Sequence, residues 1–241
     1  MLQRLLTSAL LAGFAGGLII ALLQIVLLSP IIIEAEEYEA GNRIHFEGVF
    51  DRPITEHDHG DETIVEETHE MEMDAGFFTG RSLRTVISTI LTSLGYSFVM
   101  VAGFAIAERG GVAVTARSGM IWGMAGFIAF NLATSAGLPP ELPGSYAAPL
   151  QDRQLWWIGT AVASVAGLAS IAFGKNWVPW AVGIALLALP HIIGAPVTDV
   201  FGGVVPPELQ GDFVGLSLGV SAVGWVLLGL LAGFGWARQT D

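Results

Sequence analysis

The segment Pro190-His191-Ile192-Ile193-Gly194-Ala195-Pro196 sets one imidazole between two prolines at the end of an apolar run. A histidine near the end of a membrane span is costly and is by default a functional hypothesis. The prolines interrupt helical hydrogen bonding and can free backbone carbonyls as ligands. The string P-P-E-L-x-G occurs twice, at 139–144 and 206–211, and each copy carries one carboxylate, Glu141 and Glu208. Asp199 lies between His191 and the second copy. These four residues predict a ring of one imidazole and two or three carboxylates at the mouth of a path for ions. Neutral imidazole with carboxylate suits borderline divalent metals such as cobalt, nickel, zinc and copper. The chain has no cysteine, which removes thiolate ligation and disulfides.

A second group of ligand types fills residues 30–80. The run Glu56-His57-Asp58-His59-Gly60-Asp61-Glu62 is followed by His69-Glu70-Met71-Glu72-Met73-Asp74. Side chains two apart do not share a helix face, but a turn or extended strand can fold His57, His59 and His69 around an ion. Weak, fast-exchanging metal capture is expected, because ordering a polar loop on binding costs entropy. Upstream stands the cluster Glu34-Ala35-Glu36-Glu37-Tyr38-Glu39, with Glu34 and Glu37 as candidate ligands. Dense carboxylates at a membrane mouth raise the local cation concentration.

These groups need elements to hold them, and the composition names the kind. The chain has 241 residues, 53% apolar and only 13% charged, with a mean hydropathy of +0.63. Soluble domains carry roughly 25% charged residues. Residues 30–80 hold fifteen acids against two arginines, Arg43 and Arg52, so the formal charge of −12 sits almost wholly in that insert. A strongly acidic chain of this kind excludes nucleic acid as an electrostatic partner. The remainder falls into six apolar runs, at about 5–29, 83–107, 115–137, 155–174, 177–194 and 213–236. A membrane helix needs about 20 such residues. The expectation is an all-α integral membrane protein of about six transmembrane helices in three hairpins. It forms one membrane domain over 1–241, with 30–80 inserted as an acidic extracytoplasmic loop between the first two helices. The first run is longer than a signal-peptide core and lacks a small-x-small cleavage site, so it reads as a retained helix.

Arg4, Arg109, Arg117, Lys175 and Arg238 fall in short segments on one side of the spans, which places both termini in the cytoplasm. The two P-P-E-L-x-G copies then share the outer side, and the last two hairpins read as parallel repeats. Glycines four apart, at 13/17, 119/123, 215/219 and 229/233, predict close helix crossings. Asn131 needs a partner in lipid and can bond across helices or touch an ion; it and Gln24 read first as hydrogen-bonding glue between helices, and Asp152 with Arg153 as a local interfacial pair. No phosphate-binding loop, H-E-x-x-H or G-x-S-x-G motif occurs, so no enzyme activity is expected. The membrane potential alone supplies about 4.6 kcal/mol per 100 mV to a divalent cation entering a negative interior.

Several strings together resemble one family. They are Met1-Leu2-Gln3-Arg4-Leu5-Leu6-Thr7-Ser8-Ala9-Leu10-Leu11-Ala12-Gly13, the Glu34–Glu39 cluster, the stretch at 57–59, Asn131-Leu132-Ala133-Thr134 leading into Gly137–Gly144, Arg153-Gln154-x-Trp156-Trp157 and Pro190-His191-x-x-Gly194-Ala195-Pro196. Across essentially the whole chain they resemble the CbtA family of predicted bacterial cobalt transporters. The resemblance implies an inner-membrane protein that imports cobalt for cobalamin synthesis. It also implies a partner, the CbtB subunit, with one membrane helix and a histidine-rich end. In this chain glutamate and aspartate replace much of the histidine of the first outer loop. No permanently bound cofactor is expected; cobalt is cargo, with nickel second. Another class fits the same residues, a membrane sensor or assembly scaffold whose acidic loop binds metal without passing it.

Overall fold

In a computed structural model, residues 1–44, 80–198 and 202–239 are described. His57, His59, His69 and Asp199 therefore lie outside the described residues. Among the described residues the chain is helical, without strands. Helix α1 is Leu2–Glu39 and α2 is Gly80–Arg109. Helix α3 starts at Ala116–Phe127 and runs on through Ile128–Leu132 and Ala133–Ser135. Helices α4, Leu150–Phe173, α5, Trp177–Ile193, and α6, Pro207–Arg238, complete the six. Four of them, α1, α2, α4 and α6, are long and apolar enough to cross a membrane, and α5 is a shorter apolar helix. This is the all-α membrane architecture that the hydropathy predicts.

The first helix outruns its apolar stretch. Its 38 residues span about 57 Å at 1.5 Å per residue. The expected loop over 30–80 therefore starts later, since residues 30–39 are the last turns of α1. Pro30 does not stop the helix, because a π turn at Gln24–Leu28 shifts the hydrogen-bond register just before it. Pro30 then falls in the first turn of the following segment, where a missing N–H is tolerated. A second π turn, Ile128–Leu132, lies in α3.

Local signals set the other helix ends. Thr115 and Ser118 form a reciprocal capping box at the start of α3. The Asn176 side chain accepts the Val178 N–H at 3.1 Å and starts α5. Gly194, at φ +88°, ends α5 in a left-handed conformation that favours glycine. Pro206 and Pro207 start α6.

Packing departs from three consecutive hairpins. Helix α1 packs on α2 and α6, α3 packs along α6, and α4 packs on α5. The last four helices are thus nested, with α4 and α5 between α3 and α6 in chain order. The glycines explain the choice. A Cβ at Gly119 or Gly123 would collide with the carbonyl of Gly229 or Trp225, and one at Gly167 would meet the carbonyl of Gly183. Close backbone approach is what small-residue faces permit, and packing drives association in lipid. By contrast, Gly215 and Gly219 face open space in the described chain. The two P-P-E-L-x-G copies also differ: the first is irregular loop, whereas the second opens α6.

At the end that carries both termini, Val101, Phe104 and Trp236 are fully buried. Arg4 ties three helices there. Its Nη1 and Nη2 donate to Glu108 at 2.9 and 3.1 Å, and its Nε donates to the Trp236 carbonyl at 2.8 Å. The guanidinium also lies over the Trp236 ring, 4.0 Å from its centroid. The Arg4 side chain is 15% exposed and that of Glu108 34%, so solvent screens the pair only in part. Arg4→Ala is expected to cost about 1–3 kcal/mol, the worth of hydrogen bonds to charged groups less a screening discount. A thermal unfolding midpoint in detergent equal to that of the wild type would contradict this.

Candidate functional site

At the loop end, opposite the termini, the second repeat copy grips the first. Gln210 accepts the Leu142 N–H through Oε1 at 3.0 Å and donates Nε2 to the Pro140 carbonyl at 2.7 Å. Leu142 is buried with Ala35 and Val205, against Leu209 and Phe213 of α6. An isolated bridge joins Ser145 to Gly203. The backbone on both sides of Glu141 is thereby fixed. The Glu141 carboxylate accepts from Arg153 Nη2 at 2.7 Å, and both side chains are about a quarter exposed. Arg153 thus bonds across the loop to Glu141, rather than forming the local pair with Asp152 that adjacency suggests.

Glu141 and Arg153 line a cavity of about 730 Å³ between the loop, the end of α3 and the start of α4. A second cavity of about 270 Å³ lies among α1, α2, α3 and α6. Tyr96 and Asn131 border both. The second cavity is lined by neutral polar groups, Gln24, Ser88, Thr89, Ser93 and Ser221 among them. Gln24 Oε1 accepts from Thr89 Oγ1 at 2.6 Å. Asn131 Oδ1 accepts from Trp225 Nε1 at 2.7 Å, and Asn131 Nδ2 donates to Ser221 Oγ at 3.4 Å. Gln24 and Asn131 each belong to one of the two π turns. Such turns occur mostly as single insertions in α-helices, frequently at functional sites.

Three aromatic rings stand beside these cavities, Tyr96 lining both, Phe130 the first and Trp225 the second. Tyr96 lies 4.7 Å from Trp225 and 5.3 Å from Phe130, and Phe130 stacks on Trp225 at 5.5 Å. A third cleft, about 320 Å³, runs beyond them past Met100, Trp122 and Phe173. Its lining is hydrocarbon, so it offers a cation nothing in exchange for water.

The predicted ligands are distributed as follows. Of the described members of the expected ring, Glu141 lines the cavity and His191 and Glu208 do not; Glu208 is exposed in the first turn of α6. There its charge is favoured by the helix N-terminus. His191 is exposed in the last turn of α5, edge-on to Trp156 at 6.0 Å. Trp156 Nε1 donates to the Pro190 carbonyl at 3.3 Å, so the indole holds the helix end next to the imidazole. Among the described residues no three His, Asp or Glu side chains gather as a metal-ligand group. The acidic cluster on α1 is matched by arginines. Arg43 reaches Glu34 at 2.9 Å and Glu37 at 3.5 Å, and Arg81 forms a two-pronged pair with Glu36 at 2.6 and 2.7 Å. The Arg81 hydrogen bonds hold the Glu36 carboxyl below its ordinary pKa. Glu34 and Glu37 are thus neutralised in part rather than presented bare.

The sequence reading gave Asn131 and Gln24 as glue, and they do bridge helices. Both also line one cavity among four helices, which their spacing does not reveal. The available signal was that each is a lone amide in an apolar run. The family model described as a probable cobalt transporter subunit (CbtA) matches residues 2–237. Comparison with curated proteins and with solved structures gave no match.

Proposed function

Because the chain belongs to the CbtA family, probable cobalt transporter subunits, we propose that it is the permease subunit that takes divalent cobalt across the bacterial inner membrane. Both termini lie in the cytoplasm in this reading, and the long acidic loop is periplasmic. The single observation that carries it is a pair of neighbouring cavities. A vestibule containing Glu141 and a polar cleft among α1, α2, α3 and α6 share Asn131 and Tyr96 as lining residues. Polar groups at membrane depth are costly and mark substrate paths.

In this mechanism the acidic insert, with His57, His59 and His69, concentrates cations by its charge. The ion then exchanges with Arg153 for the Glu141 carboxylate and moves inward past Tyr96. The potential drives it, since the sequence has no nucleotide-binding loop. His191 and Glu208, exposed at the ends of α5 and α6, are offered to the ion outside the vestibule, with Asp199 as a further candidate ligand from the sequence. The partner is a small single-helix, histidine-rich subunit of the CbtB kind, and the imported metal feeds cobalamin synthesis. The test is uptake of labelled Co²⁺ by cells with and without the gene. Loss of the gene should lower uptake, and excess Ni²⁺ should compete. Unchanged uptake would favour a sensor or scaffold that binds metal and passes none.

A further inference from the structure

We propose that the inner cavity is a binding site for a fully hydrated divalent cation, held through its water shell rather than by direct ligands; this rests on the transport reading above. Three observations converge. The cavity measures about 270 Å³, room for about nine waters at roughly 30 Å³ each. That is enough for an ion with six waters. The groups that line it are neutral amides and hydroxyls, with no carboxylate or imidazole. Such groups are poor replacements for the first hydration shell of a transition metal, which prefers imidazole or carboxylate. They are good acceptors for the polarised O–H bonds of metal-bound water.

The amides are placed for that role. Gln24 and Asn131 come from opposite sides, α1 and α3, each from a π turn. Their hydrogen bonds to neighbouring groups of the same lining are already made, Gln24 with Thr89 and Asn131 with Trp225 and Ser221. Each side chain is therefore oriented before an ion arrives, which cuts the cost of binding. Each accepting amide oxygen keeps a second lone pair beyond the bond named. Stripping the ion here would leave it without charged ligands in a low-dielectric interior. Keeping the shell spreads the charge over a larger radius and lowers that penalty.

The probe is hexaamminecobalt(III). It has about the size of a hydrated cobalt ion and presents N–H donors, but it does not exchange its ligands. In vesicles containing the full chain it should block Co²⁺ uptake at concentrations within about tenfold of half-saturating Co²⁺. Gln24→Met and Asn131→Leu should each weaken both uptake and block at least tenfold. Asn131→Leu loses the Trp225 bond and can unfold; Gln24→Met keeps the side-chain length and carries the test alone. Uptake that neither the ammine complex nor Gln24→Met alters would overturn the site while leaving the transport reading intact. If wild-type vesicles take up no Co²⁺, the transport reading fails, and equilibrium dialysis decides the site separately. Wild-type protein binding the ammine complex more tightly than Gln24→Met supports it; equal binding overturns it.

Discussion

Replacing Glu141 by Gln should lower the initial rate of Co²⁺ uptake at least tenfold, and adding Arg153→Gln should recover only the part of that loss that comes from the unpaired guanidinium. Glu141 is the acid that lines the vestibule, and its charge is balanced by Arg153 at 2.7 Å. Arg153 Nε is itself buried with no hydrogen bond among the described residues. Removing the carboxylate leaves a lone guanidinium at the mouth of the path. A divalent ion roughly 8 Å from a unit positive charge is repelled by about 1 kcal/mol at the dielectric of water and about 4 at an effective value of 20. A tenfold change is about 1.4 kcal/mol, well inside that range. The double variant is neutral again, as the wild-type pair is, so it separates charge from geometry. Arg153→Gln alone should raise apparent affinity for Co²⁺, because the carboxylate is released. A single Glu141→Gln variant with normal uptake would remove the vestibule from the path.

The second large effect concerns the bundle itself. Gly123→Leu is expected to prevent stable assembly, whereas Gly215→Leu is expected to be tolerated. At Gly123 the neighbour is backbone, the Trp225 carbonyl and Gly229, which cannot rotate away as a side chain can. Overpacking costs about 1–3 kcal/mol where side chains absorb the strain, and more where helices must separate. Separation would also break the contact that holds Trp225 beside Asn131. Gly215 has the same helical surroundings but nothing within 4 Å. Size-exclusion profiles and unfolding midpoints in detergent should show the contrast. Equal behaviour of the two variants would mean that the α3–α6 crossing does not hold the bundle.

The architecture was legible because lipid leaves few options. Long apolar runs must be helices, since backbone groups in hydrocarbon need internal partners. The glycine pairs at 13/17, 119/123 and 229/233 also mark real crossings. Which helix each pair would meet was not legible. Spacing marks a face but not its partner, so nested packing replaced consecutive hairpins. The repeat was real as a string, yet its copies fold differently, and their meeting through Gln210 depends on tertiary contacts. In the candidate site the carboxylate Glu141 could be found by type. Its pairing with Arg153 could not, because adjacency to Asp152 gave a simpler answer. Gln24 and Asn131 are 107 residues apart in the sequence and share a cavity, each from a π turn. Nothing in a one-dimensional pattern reports a π turn.

The most direct measurement is Co²⁺ flux into sealed vesicles carrying the purified protein with any subunit that copurifies, under an inside-negative potential. A 100 mV potential is worth about 4.6 kcal/mol for a divalent ion, a ceiling on the order of a thousandfold accumulation. The account predicts labelled cobalt inside the vesicles, resistant to external chelator and released when the potential is collapsed. Label that an external chelator removes completely would contradict it, for the protein would then bind cobalt without carrying it across.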